Sequence, residues 1–214
     1  MDVRTTSQPN QNNGRRALVV TFVIFVFPVV VAFTLLKTGW YTAAGTTNHG
    51  TLINPPIPFD DLTLVGEKQS PLPAEQFRKK WWMMYVMPRE CDSACKNSLY
   101  LMRQTRQALG PEQNRVAELI VISHPLSAEL ATWLATEFSH ATIVSAPAGN
   151  LDQTLQQALS GDIQPSEAGH IFLVDTMGAI FMHYPSYEDE RESILKGRDL
   201  LKDLQKVLKL SKIG

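Results

Sequence analysis

Apolar positions along this 214-residue chain fall into blocks of different kinds. Residues 17–36, ALVVTFVIFVFPVVVAFTLL, form one apolar run without a charge. A helix rising ~1.5 Å per residue needs about 20 such residues to cross ~30 Å of hydrocarbon, and this run has that length. Pro28 falls inside it, which membrane helices tolerate because neighbouring groups re-satisfy the freed carbonyl. Later blocks are shorter. Trp81–Met87, WWMMYVM, is apolar at every position, which suits a strand covered on both faces. Pro88 closes it. From Asp92 to Leu109 the period turns helical, with Leu99, Met102 and Leu109 on one side, Arg103 and Arg106 on others, and Gly110–Pro111 as the stop. Residues 117–125 read as a second buried strand. Residues 126–138 read as a helix with Leu130, Trp133, Leu134 and Phe138 inward. A short strand over 141–147 and a short helix over Leu151–Leu159 follow. His170–Thr176 and Ala179–Tyr184 make a hairpin around a tight turn, and 191–210 is an amphipathic helix.

Alternating strand–helix units imply a parallel sheet with helices on both faces, and the closing hairpin adds an antiparallel edge. The expected class is α/β. The element order is that of a thioredoxin-like fold with an inserted βα unit, preceded by one N-terminal transmembrane helix. The domains read as a cytoplasmic tail (1–16), a transmembrane helix (17–36), an extended tether (37–75) and the thioredoxin-like domain (76–214). The tether, rich in Pro, Gly, Thr and Asn, shows no sustained period apart from a short strand around Leu62–Val65.

Charge sets the orientation. Arg4, Arg15 and Arg16 precede the apolar run, and only Lys37 follows it closely. The positive-inside rule then keeps the N-terminus in the cytoplasm and exports the rest, with Trp40 and Tyr41 at the outer interface. Thr42–Ala43–Ala44 would suit signal cleavage, but signal cores span about 7–15 residues and this run is longer. The expected address is the inner membrane, single-pass, with the domain in the periplasm. Residues 38–214 carry 16 Lys and Arg against 20 Asp and Glu, so no basic stripe argues for nucleic acid.

Cys91 and Cys95 are the only cysteines, and they fall where the first core strand hands over to the first helix. A helix N-terminus favours a thiolate through its free N–H groups and dipole, and Arg89 and Lys96 add positive charge. Four residues apart on a helix, the pair stands about 6 Å apart at Cα, so it can close a disulfide or hold a soft ion such as Cu(I). A purely structural disulfide, or two buried thiols, is the plainer alternative.

The N-terminal anchor, Cys91-x-x-x-Cys95 after a hydrophobic strand, and the later IFLVDTMG segment together resemble the Sco/SenC family of membrane-anchored cytochrome c oxidase assembly proteins. The resemblance spans about residues 60–210 and is closer to a divergent, oxidase-associated branch. It implies copper held by two cysteines and one histidine. That histidine lies eight residues before an aspartate matched here by Asp175, where this chain has Glu167, and Asp92 replaces the proline usual after the first cysteine. His170, three residues later, opens the strand expected beside the cysteine helix and is the expected weaker third ligand. The metal set is thus Cys91, Cys95 and His170. Most of His49, His124, His140 and His183 read as ordinary surface residues, and Asp175 as a turn residue. The implied function is binding or delivery of Cu(I) to a cytochrome c oxidase subunit, alone or with other assembly factors. The alternatives are a thiol–disulfide oxidoreductase with Cys91 and Cys95 as its catalytic pair, keeping copper-site cysteines reduced, and a non-catalytic scaffold. Thioredoxin-like reductases usually carry CxxC and a cis-proline just before the strand facing the cysteines, where this chain has CxxxC and Gly169.

Overall fold

The structure, a computed structural model, describes residues 11–38, 47–66, 70–159 and 161–211. Most of the expected cytoplasmic tail, the aromatic pair Trp40–Tyr41 and the small residues 42–44 lie outside the described residues. The chain divides into two units, Met1–Thr47 and Asn48–Gly214.

The first unit holds α1, Gln11–Thr38, with Pro28 inside it. Its stretch Gly14–Leu35 is long and apolar enough to cross a membrane. Its large apolar side chains stand exposed, which suits hydrocarbon rather than water around them. The two threonines near its end turn their hydroxyls back onto the helix, Thr34 to the Val30 carbonyl at 2.9 Å and Thr38 to that of Thr34 at 2.8 Å. No side-chain donor of theirs is left to face lipid.

The second unit is a six-stranded mixed sheet. Its strands are β1 (Thr51–Pro58), β2 (Trp81–Met87), β3 (Val116–Ile122), β4 (Thr142–Ser145), β5 (Ile171–Val174) and β6 (Ala179–Tyr184). They lie in the order β1-β6-β5-β2-β3-β4. β2, β3 and β4 run parallel, while β5, β6 and β1 add antiparallel pairings. The helices are α2 (Ser93–Ala108), α3 (Ala128–Glu137), α4 (Ala148–Leu155) and α5 (Glu190–Leu210). All of β2 is buried, as its unbroken apolar pattern requires. Met83, Tyr85 and Met87 face one layer with Cys95, Leu99 and Met102 of α2 and Leu200, Leu204 and Leu208 of α5. Trp82, Met84 and Val86 face the other with Leu151 and Leu155 of α4.

The expected tether is largely folded. Residues 51–58 form β1, the edge strand paired with β6, and Ile53, Ile57, Phe59, Leu62, Leu64 and Phe77 cover the second layer beside α4. Prolines at 55, 56 and 58 lack the ladder donor and are tolerated only on such an edge, which is why the segment reads as irregular. The segment is fastened by Asp203 of α5. Its Oδ2 accepts the backbone N–H groups of His49 (2.8 Å) and Gly50 (2.9 Å) and the Tyr184 hydroxyl (2.7 Å). Gly50 is required here, because a Cβ would stand 2.5 Å from the Tyr184 ring and 2.7 Å from the Met182 sulfur.

Candidate functional site

β2 is the strand where the connections change direction: β3 lies on one side of it and β5 on the other. Open α/β sheets bind and react at the carboxyl end of such a strand. Here that end is Met87, followed by Pro88 and the loop that carries Cys91. Asp92 then caps α2. Its side chain accepts the Cys95 N–H at 3.0 Å, and its carbonyl accepts the Lys96 N–H at 3.1 Å. Asp92 therefore fixes the first helical turn around Cys95.

Cys91 and Cys95 are joined by a disulfide with Cα atoms 5.0 Å apart, closer than ideal helix spacing because Cys91 precedes the helix. The two sulfurs differ in access. Cys91 is half-buried, whereas Cys95 is 1% exposed and packed among Leu99, Met83 and Met87.

His170 does not join them. It stands immediately before β5, and strand parity turns its ring to the face of Phe172 and Val174, opposite the face that packs Cys95. There its Nδ1 lies 3.2 Å from Nδ1 of His183, with the rings stacked at 5.2 Å. One of the two Nδ1 atoms donates to the other, the roles following the tautomers. Burial, and then the charge of His183, lowers His170 to about 4, and burial lowers His183. Both rings are neutral core groups. His183, one of the four histidines of which most read as surface residues, is an interior one. Among the described residues no group of three or more His, Cys, Asp and Glu side chains gathers to hold a metal.

Glu167 is the residue that comes to the site. Its Oε2 accepts the backbone N–H of Arg89 at 2.9 Å, tying the cysteine loop to the segment before β5. Its Oε1 lies 2.8 Å from His124 Nε2 and 3.7 Å from Arg89 Nε. The His124 contact is short but not aligned as a hydrogen bond. His124 arrives because Met87 pairs with Ile122, placing the end of β3 beside the cysteine loop. Spacing to Asp175 marks Glu167 in the sequence, and nothing in the sequence marks His124 as its partner. Asp175 holds the hairpin turn, its Oδ1 accepting the N–H groups of Met177 (2.9 Å) and Ala179 (2.8 Å).

Between the loop and β5 lies a cavity of about 370 Å³, bordered by Tyr85, Arg89, Asp92, Cys95, Glu167 and Gly169. A larger groove of about 770 Å³ runs along the ends of β3 and β4 with His124 on its rim, but neither cysteine borders it. Gly169 has φ +61°, a conformation that suits glycine. Two sulfurs of unequal access, a helix N-terminus and a polar cavity beside them can support nucleophilic exchange at Cys91 with Cys95 as leaving or resolving group.

No curated protein matches the chain in sequence. Among solved structures, apo Sco1 from Thermus thermophilus matches at 21% identity and TM-score 0.51, over 78% of this chain and all of that one. A thiol:disulfide interchange protein from Bacteroides sp. matches at 19% identity and TM-score 0.48, over 76% of this chain and 91% of the other. Copper-bound ScoI from Bradyrhizobium japonicum matches at 12% identity and TM-score 0.44, over 64% and 95%. The first of these shows a shared thioredoxin-like fold, in agreement with the Sco/SenC resemblance read from the sequence. The model of the family described as "Transmembrane-like, thioredoxin-like, C-terminal domain" matches residues 81–211, more than half of the chain, and the protein belongs to that family.

Proposed function

We propose that the protein is a membrane-anchored thiol–disulfide factor for cytochrome c oxidase assembly, held in the inner membrane by α1 with its second unit in the periplasm. The observation that carries the chemistry is the Cys91–Cys95 disulfide at the head of α2, with one accessible and one buried sulfur. The oxidase rests on the Sco/SenC resemblance, and the side of the membrane on Arg4, Arg15 and Arg16 before the apolar run.

In the reduced protein the Cys91 thiolate attacks one sulfur of a partner disulfide and the partner's other sulfur leaves as a thiolate. The Cys95 thiolate then attacks Cys91 Sγ, the mixed disulfide breaks, and the partner departs as a dithiol. Two electrons pass from this chain to the partner, and an external dithiol must restore the reduced pair. Copper-site cysteines of an oxidase subunit are the proposed partner sulfurs.

A second reading is favoured by the same pair. Reduced, Cys91 and Cys95 present two soft sulfur donors from one helix head and would carry Cu(I) as cargo. His170 lies on the other sheet face, and the carboxylate of Glu167 is a hard donor, so the two thiolates would hold the ion alone.

The full chain in detergent separates the readings. Reduced wild type should reduce a disulfide-bonded oxidase copper-site peptide, and Cys91→Ser should abolish that transfer. If wild type leaves the peptide oxidised but binds one Cu(I), with either cysteine replaced by serine losing it, the cargo reading takes over. Neither activity would leave the scaffold role.

A further inference from the structure

Tyr85 is fully buried at the centre of β2, on the face that packs α2. Its hydroxyl makes no aligned hydrogen bond. Burial pushes its ionisation far up, the nearby Asp92 carboxylate pushes it further, and the Ser98 hydroxyl offsets this in part. Asp92 and Ser98 bracket the first turn of α2, the turn that carries Cys95. On its other side the hydroxyl meets Gly169, whose absent Cβ would stand 3.1 Å from Tyr85 Oη and 3.4 Å from Ser186 Oγ. Tyr85, Cys95, Gly169 and Ser186 all border the cavity beside the disulfide. An O–H donor thus belongs to a residue that lines the same cavity as Cys95, with no aligned hydrogen-bond partner.

A buried donor without an acceptor is a net loss, and phenylalanine would fill the same space without it. The disulfide sulfurs are poor acceptors. A thiolate on Cys95 is a strong one. We propose that the Tyr85 hydroxyl is the hydrogen-bond donor to the Cys95 sulfur in the reduced protein, and that this contact favours reduction of the Cys91–Cys95 disulfide. The inference rests on the redox reading of the pair given above.

The step balances with a dithiol reductant. One thiolate of the dithiol attacks Cys91 Sγ, the S–S bond breaks, and its electron pair leaves on Cys95 Sγ. Tyr85 donates a hydrogen bond to that sulfur and keeps its proton, as its raised ionisation requires. The second thiolate of the dithiol then displaces Cys91, which takes a proton from solvent. The dithiol ends as a disulfide, two electrons having passed to this chain.

The test is Tyr85→Phe in the full chain in detergent, equilibrated against a dithiothreitol ladder and read by the mass added on alkylation. Thermal unfolding of the oxidised and the reduced forms is measured alongside. The variant should hold its disulfide more tightly, with the reduction equilibrium lowered roughly tenfold or more, the size of a hydrogen bond to a charged acceptor. For a two-electron couple that is about 30 mV toward negative potential. Its oxidised form should unfold at the same or a higher temperature than wild type, and its reduced form at a lower one. A purely structural hydroxyl would move both forms the same way. An unchanged potential, or an oxidised form destabilised by the substitution, overturns the inference while leaving the redox reading intact. A wild-type disulfide that resists reduction across the whole ladder overturns both.

Discussion

Acid should weaken the second unit before its carboxylates titrate, and His170 sets the size of the effect. Burial and the neighbouring His183 hold its imidazole at about 4, against the ordinary value of 6.5. The folded-state value is depressed, so the unfolded chain takes up the proton first. Stability is therefore complete above pH ~6.5 and is lost progressively as pH falls toward ~4. Each pH unit inside that window costs ~1.4 kcal/mol, which amounts to ~2 kcal/mol by about pH 5 and ~3 kcal/mol across the whole window. A loss of this order is a large share of a domain stability of ~5–15 kcal/mol. Glu118 works in the opposite sense, because burial raises its carboxyl and the folded form takes up a proton more readily. Comparison with a His170→Leu variant cancels that contribution. Urea unfolding of the disulfide-intact domain freed of α1, at about pH 7.5 and about pH 5, reads the difference. Wild type should lose ~2 kcal/mol more than the variant between the two conditions. If His170→Leu loses as much as wild type, the imidazole does not carry the linkage and the neutral-pair assignment is refuted.

Alkylation of the reduced protein under limiting reagent should label Cys91 well before Cys95, since only Cys91 reaches solvent, and equal slow labelling of both would mark a structural pair. Gly50→Ala should destabilise the domain by ~1–3 kcal/mol, because its Cβ must displace a Tyr184 ring held by Asp203, and an unchanged denaturation midpoint would disprove that clash. Glu167→His should tighten Cu(I) binding to the reduced protein by placing an imidazole where the Sco/SenC resemblance expects one. Competition with a Cu(I) chelator measures it, and an unaltered affinity would show that position 167 does not face the thiolates.

Much of the domain is legible from apolar periodicity alone. WWMMYVM announces a strand buried on both faces, and each later strand and helix stands within a few residues of its pattern. β1 escapes because its edge position lets it carry three prolines, so the chemistry that permits the strand also erases its signature. His170 shows a different limit. Its place at the start of β5 is readable, but which face its ring takes depends on the register with β2, and a shift of one residue reverses the answer. The cysteine pair is visible by spacing. The meeting of Glu167, Arg89 and His124 is not, because it joins three loops at the end of the sheet that no local pattern connects.

The Asp203 clasp has a mechanical meaning. A pull along the chain from the anchor side enters the domain at His49 and Gly50, where two backbone hydrogen bonds and the Tyr184 hydroxyl converge on one carboxylate. That load is shared between α5 and the β1–β6 edge of the sheet, whereas the cysteines lie at the end of β2. Tension arriving at His49 is thus borne by an edge of the domain and not by the strand that aims the sulfurs.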